Sequence, residues 1–174
     1  MNPYEWPDRF RQVFAEAVKR CRAGARDATR FLEADEQDFL DGIGCGAQEL
    51  FDYVEDYSHS GDPSFETVLL VTAVRRSYFL NEQGGKTSGV TRSPDEFPAK
   101  AAELDGIAWL PRIIAKARAK LRGELPPELM YGCGGDRPFL RRHGVHLADF
   151  LQAVQAAGDD DAAIVAFLKS SPKS

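Results

Sequence analysis

The two halves of this 174-residue chain resemble each other at an offset of about 100 residues. The matching positions are Phe39-Leu40 with Phe139-Leu140, Gly44 with Gly144, Val54 with Val154 and, after a gap of three residues, Gly61-Asp62 with Gly158-Asp159. Glycine commonly ends a helix, so glycines in register indicate helices that stop at matching places. The pattern predicts two similar helical units, an internal duplication with a pseudo-twofold axis and any cleft at the junction. Coincidence between generic helical patterns is the alternative.

Apolar residues recur at helical spacing through most of the sequence, whereas strand signals are weak throughout. The spacing predicts helices near residues 7–23, 46–61, 64–82, 111–122, 138–143, 146–157 and 159–168. The helix over 64–82 is apolar on most of its circumference, so we expect it to be the most buried element. We therefore predict an all-α globule, one compact domain made of an N-terminal unit (1–82), a loop or linker (83–105) and a C-terminal unit (106–170).

Composition limits the classes of partner. The chain carries 22 Lys and Arg residues against 27 Asp and Glu residues, a net charge of −5, which disfavours nucleic acid and anionic membranes as partners. No apolar run approaches the roughly 20 residues that span a bilayer. The three cysteines form no CxxC pair, and residues 1–7 lack the apolar core of a secretory signal. We expect a cytoplasmic protein with reduced thiols and without a bound metal or cofactor.

The segment over residues 98–119 carries the most specific motif. Leu110-Pro111-Arg112 leads into a helix that contains Lys116-Ala117-Arg118-Ala119. This run resembles the signature of the bacterial "domain of unknown function 5069" family, and residues 139–168 resemble the end of that family's sequence. The resemblance covers about the last 75 residues. It implies a small bacterial protein without an established activity, and it assigns no catalytic residue.

The helix over 111–122 presents five basic residues beside an apolar stripe, and like charges at this spacing repel one another unless an anion or an acidic segment lies nearby. One acidic segment is internal, because residues 27–66 hold twelve acidic residues and a single arginine. Internal pairing with this segment is one interpretation of the basic helix. The other is a non-enzymatic protein with a basic cleft for a small anion, phosphate or carboxylate, or for an acidic protein partner. The candidate ligand-binding residues are Trp109, Arg112, Lys116, Tyr131 and Arg137.

A small cysteine-dependent enzyme is the alternative function, which leaves the enzymatic status open. Three glycines surround Cys133, which permits close approach of a ligand, and Arg112 and Lys116 would then hold an anionic substrate. A nucleophilic cysteine needs a base, and His143 or His146 are the candidates. Asp52, Asp56 and His59 share a helix face, but a single histidine among surface acids does not predict a metal site.

Overall fold

The structure is a computed structural model that describes residues 4–28 and 30–171. Within those residues it contains eight α-helices and one two-stranded hairpin, which confirms the predicted all-α class. The chain divides into two compact units, residues 1–86 and residues 87–174. No helix in the described part of the chain combines the length and hydropathy needed to cross a membrane.

Each unit contains four helices. Those of the N-terminal unit are α1 (Trp6–Arg22), α2 (Ala34–Gly42), α3 (Ala47–Ser60) and α4 (Phe65–Asn81). The C-terminal unit begins with a 3-10 turn (Pro94–Glu96) and the antiparallel strands β1 (Glu103–Leu104) and β2 (Ile107–Ala108), followed by α5 (Leu110–Arg122), α6 (Asp136–Arg142), α7 (Leu147–Ala157) and α8 (Asp161–Ser170). The apolar periodicity predicts seven of the helices but neither α2 nor the hairpin.

The core of the N-terminal unit forms where α1 packs on α3 and α4. The predicted apolar face of α1 is buried, and Phe14 is central to it. Its ring centroid lies 5.3 Å from that of Tyr57 and 5.2 Å from that of Phe65, both edge to face. Helix α4 begins where Ser64 accepts the backbone N–H of Thr67, a common N-cap arrangement.

The C-terminal unit is organised around α5, which packs on α7, while α8 packs on α7. The apolar stripe of α5 is buried as predicted, with Ile113 and Ala117 fully inaccessible to solvent. Lys116 and Lys120, which the helical spacing places on the flank of that stripe, are also buried, with exposed fractions of 2% and 1%. The unit therefore contains lysines where an isolated helix would expose them.

The turns that follow α2 and α6 have the same hydrogen bonds. In the first, Gly44 adopts a φ of +70° and the next residue, Cys45, donates its N–H to Leu40 at 3.0 Å. In the second, Gly144 adopts a φ of +65° and Val145 donates to the carbonyl of Leu140 at 3.0 Å. Such glycine turns are common at helix ends, so the likeness alone does not establish common ancestry. The duplication and its pseudo-twofold axis stay a prediction.

Helix α4 is not the buried element that its sequence suggests, and that expectation is wrong. Leu70 is 51% exposed and Leu80 is 39% exposed, so part of the apolar circumference faces solvent. On the other side, Arg75 is 1% exposed. Burial lowers the pKa of its guanidinium, because the charged form loses hydration there. A count of apolar residues around the helix could not reveal which face packs.

Candidate functional site

Most basic side chains of α5 are neutralised inside the C-terminal unit. Lys116 pairs with Asp136, Arg118 with Asp161 at 2.7 Å, and Arg122 with Asp159 at 3.9 Å. These aspartates lie outside the acidic segment 27–66, which sequence reasoning offered as the internal partner. Three of the five basic residues thus have acidic partners in their own unit.

Asp136, at the start of α6, is the buried acceptor of this arrangement, with an exposed fraction of 0%. Oδ1 accepts the indole Nε1–H of Trp109 at 2.9 Å, and Oδ2 accepts the backbone N–H of Gly132 at 2.9 Å and a bond from the Lys116 ammonium. A buried carboxylate is costly unless it is paired and hydrogen-bonded, and both conditions are met here. The cluster therefore fixes α5 to the loop before α6.

The Lys116 ammonium has three partners. Besides Asp136, its Nζ donates to the carbonyl oxygen of Met130 at 2.9 Å and to Sγ of Cys133 at 3.3 Å. An ammonium has three N–H donors, so these contacts use all of them. Lys116 thus links the carboxylate of Asp136 to the thiol of Cys133.

Trp109 is held in an unusual backbone conformation just before α5. Its φ is +74°, in the left-handed region, which costs a non-glycine residue about 1–3 kcal/mol. Two hydrogen bonds hold it there, from its indole to Asp136 and from its backbone N–H to Ala102. The ring also lies so close to Gly135 that a Cβ atom there would collide with it. The indole therefore has one defined position.

A cavity of about 370 Å³ lies beside this cluster in the C-terminal unit. Its lining combines apolar, acidic and basic side chains with the thiol: Lys100, Trp109, Arg112, Lys116, Glu128, Leu129, Met130, Cys133 and Gly135. Three of the predicted ligand-binding residues, Trp109, Arg112 and Lys116, meet there, as does Cys133. The candidate anion-binding residues and the candidate nucleophile therefore line the same cavity.

Arg112 is the basic residue of α5 that retains binding capacity toward this cavity. Its Nη1 donates to the carbonyl oxygen of Pro98 at 2.6 Å. Within residues 4–28 and 30–171, Arg112 has no acidic partner, and neither does Lys100. A guanidinium offers five N–H donors in a planar fork that fits carboxylate and phosphate. Donors on Arg112 therefore remain for an anion.

Tyr131 and Arg137, the other two predicted ligand-binding residues, do not line the cavity. The hydroxyl of Tyr131 donates to the carbonyl oxygen of Leu147 at 2.7 Å, and its side chain is buried. Nη1 of Arg137 donates to the carbonyl oxygen of Gly132 at 2.7 Å. Tyr131 thus connects the loop before α6 to the start of α7, and Arg137 connects that loop to α6.

Burial raises the pKa of Tyr131 well above its usual range, because a phenolate would lose its hydration there, and the charges of Asp136 and Asp149 add to the effect. Above about pH 10 the unfolded phenol ionises while the folded one keeps its proton, so stability falls by about 1.4 kcal/mol per pH unit. Tyr131→Phe loses a hydrogen bond worth about 1 kcal/mol at neutral pH but also this slope. Urea unfolding between pH 8 and 11 measures both, and parallel profiles would contradict the expectation.

The two candidate histidines have structural contacts. Nδ1 of His143 lies 2.8 Å from the carbonyl oxygen of Phe139, and its ring packs on that of Phe139. Nδ1 of His146 accepts the backbone N–H of Ala148 and so caps α7. Neither belongs to the described lining of the cavity. The residue that contacts the Cys133 thiol is a lysine.

A second cavity, of about 460 Å³, lies in the N-terminal unit. It is lined by Cys21, Arg22, Arg26, Glu55, Asp56, Ser58 and His59. Nη1 of Arg26 donates to the carbonyl oxygen of Cys21 at 2.7 Å. Among the residues that the structure describes, no group of three His, Cys, Asp or Glu side chains could hold a metal ion.

The predicted site residues do not include Asp136 or five residues of the cavity lining: Lys100, Glu128, Leu129, Met130 and Gly135. The sequence indicates Asp136 only as a helix cap, because an acid before Pro138 commonly starts a helix. Its pairing with Lys116, 20 residues earlier, depends on the tertiary fold that brings the first residue of α6 to α5, and it leaves no local signal in the sequence. Lys100 lies inside the motif segment, but nothing in its spacing directs it to the cavity.

Comparison with known proteins supports the family resemblance in the C-terminal part of the chain. Residues 92–174 match the model of the family described as Domain of unknown function (DUF5069). The match includes the hairpin, α5 to α8 and every residue that lines the 370 Å³ cavity. No curated protein and no solved structure gives a significant match to the chain.

Proposed function

We propose that the C-terminal unit, which matches a family of unknown function, binds a small organic anion in the cavity beside α5. This proposal rests mainly on Arg112, which lies on the cavity wall. Its described partners include the carbonyl oxygen of Pro98 but no carboxylate. Lys100 adds a second positive charge to the lining, and Glu128 adds one negative charge, which leaves the positive charges in excess. Two cations that share one concave site favour a carboxylate or phosphate group.

The remaining lining indicates an anion with an apolar part. The indole of Trp109 and the side chains of Leu129 and Met130 supply apolar surface beside the two cations. Small-molecule sites typically combine such surface with a few polar groups that fix the orientation of the ligand. The constrained indole supports this role, because a rigid wall loses little conformational freedom when a ligand binds.

Lys116 has a different role from the one its sequence position suggests. Its three donors are already engaged, and Asp136 balances its charge. It therefore contributes to the site by positioning the loop that carries Met130 and Cys133, while Arg112 and Lys100 contact the anion.

We also propose that the protein is cytoplasmic. Its three free cysteines, two of them buried, support a reducing compartment.

Thermal unfolding in the presence of benzoate tests the proposal. We expect benzoate to raise the unfolding temperature relative to chloride at equal ionic strength, with about 1.4 kcal/mol of stabilisation at ten times the dissociation constant. Arg112→Gln, which keeps a donor for Pro98 but removes the charge, should lose most of this effect. Arg142→Gln is the matched control, because Arg142 is exposed on α6 and does not line the cavity. Equal stabilisation of both variants would refute the proposal.

A further inference from the structure

We propose that Cys133 is a reactive thiol that exchanges with small disulfides bearing a carboxylate, which rests on the proposed anion site and extends it. Cys133 is partly exposed, and it lines the same cavity as Arg112 and Lys100. Cys21 and Cys45 are both 3% exposed. Among the three cysteines, Cys133 thus combines access from solvent with neighbouring cations.

The contact between Lys116 and Cys133 supplies the chemical activation. Nζ of Lys116 lies 3.3 Å from Sγ of Cys133 and donates to it. The thiolate is the nucleophilic form of cysteine, and a neighbouring ammonium stabilises it. Lys116 is almost fully buried, so little water screens its charge, and the carboxylate of Asp136 offsets part of that charge.

Asp136 acts as a positioning residue for this ammonium. It accepts bonds from Lys116, from the Trp109 indole and from the Gly132 backbone, so its carboxylate is fixed in place. Asp136 therefore holds the Lys116 ammonium at a fixed distance from the sulfur.

Disulfide exchange fits the residues present better than hydrolysis does. The described lining contains a thiol that contacts an ammonium, and a thiolate attacks a disulfide directly, without a base that activates water. In exchange, the Cys133 thiolate attacks one sulfur of the disulfide and forms a new S–S bond. The original S–S bond breaks, and its electron pair leaves on the second sulfur, which takes a proton from water. Cys133 is oxidised and the departing thiol is reduced, so no other oxidant is needed.

Arg112 and Lys100 select the class of disulfide. Their charges attract a substrate that carries a carboxylate, which raises its local concentration beside the sulfur. The apolar surface of Trp109 accommodates an aromatic or aliphatic body. An aromatic disulfide with carboxylates is thus the preferred probe, and a neutral aromatic disulfide is its matched control.

Stopped-flow absorbance of the intact protein with dithiobis(nitrobenzoate) and with neutral dithiodipyridine tests the inference. We expect one fast-reacting thiol per chain, absent in Cys133→Ser. It should react with the neutral reagent about threefold faster than N-acetylcysteinamide does at the same pH, because the Lys116 ammonium contacts the sulfur. Equal or slower reaction of the native thiol would overturn the inference without any variant.

Two variants separate the thiol from the anion site. Lys116→Met combined with Asp136→Asn removes both buried charges and should slow both reagents about threefold, in a protein that near-ultraviolet circular dichroism shows to be folded. Arg112→Gln should slow the anionic reagent alone. The anion site is refuted if the native protein prefers the anionic reagent over the neutral one no more than N-acetylcysteinamide does. Unchanged rates in a folded double variant would refute activation by Lys116.

Discussion

Asp136→Asn is expected to destabilise the C-terminal unit by about 3–5 kcal/mol, because it leaves the Lys116 ammonium buried without a counter-charge. The exposed fractions of the two side chains are 2% for Lys116 and 0% for Asp136. Asparagine has nearly the same shape but a single acceptor oxygen, so it can accept the bond from Trp109 or the bond from Gly132, but not both. The loss therefore combines the missing counter-charge with about 1 kcal/mol for one hydrogen bond.

Urea unfolding followed by the fluorescence of Trp109 measures this loss. The protein has two tryptophans, so Trp6→Phe makes Trp109 the sole reporter and restricts the signal to the C-terminal unit. Asp161→Asn is the control, since its partner pair with Arg118 is partly exposed and should cost only about 0–1 kcal/mol. Adding Lys116→Met to Asp136→Asn should recover part of the stability. Similar small losses in both single variants would show that the pair is not a buried one.

Gly44→Ala is expected to destabilise the N-terminal unit by about 2–4 kcal/mol, from two causes. Gly44 has a φ of +70°, which L residues rarely adopt, and a Cβ there would lie 2.5 Å from Cγ of Phe79. Phe79 is buried, so its ring has little freedom to move aside. Strain in the backbone and collision in the core therefore add.

Gly61→Ala separates these two contributions. Gly61 has a φ of +72°, close to that of Gly44, but no atom lies within 4 Å of the added Cβ. Its cost should be backbone strain alone, about 1–2 kcal/mol. Far-ultraviolet circular dichroism during urea unfolding measures both variants. Equal losses would mean that the turn before α3 does not pack on Phe79 as the structure shows.

The sequence predicts most helices because their apolar residues keep the helical period. Helix α1 is the clearest example, since each apolar position that defines it is buried. The short helix α2 is missed because it contains only Phe39 and Leu40 as large apolar residues. The hairpin has only two residues in each strand, but the Asp105-Gly106 pair at its turn is a recognised hairpin signal. The hairpin could therefore be predicted from its turn residues, but not from an alternating strand pattern.

The site was partly predictable. The sequence marks Arg112, Lys116, Trp109 and Cys133 as candidates, and the structure brings all four to one cavity. It cannot reveal that Lys116 is buried, because an isolated helix would expose that flank. Neither could it assign Asp136 as the partner, because charge totals favour the larger acidic segment over 27–66. Pair identity depends on tertiary packing, which composition does not encode.

The predicted duplication agrees with the structure only in part. Equivalent glycine turns in the two units are what the sequence match requires, and corresponding helices begin 96 to 104 residues apart, although α8 is shorter than α4. Turn geometry of this kind also arises independently wherever a helix ends in glycine. The likeness of the halves does not bear on the anion site, whose described lining comes from the C-terminal unit.

The most direct test of anion binding is the indole N–H resonance of Trp109 in a proton–nitrogen correlation spectrum during titration with benzoate. The two tryptophans give two indole signals, and Trp6 in the N-terminal unit serves as the internal reference. We predict that the Trp109 signal shifts to saturation, that the Trp6 signal stays fixed, and that Arg112→Gln abolishes the shift. A Trp109 signal that does not move, or that moves equally in Arg112→Gln, would contradict binding in the cavity beside α5.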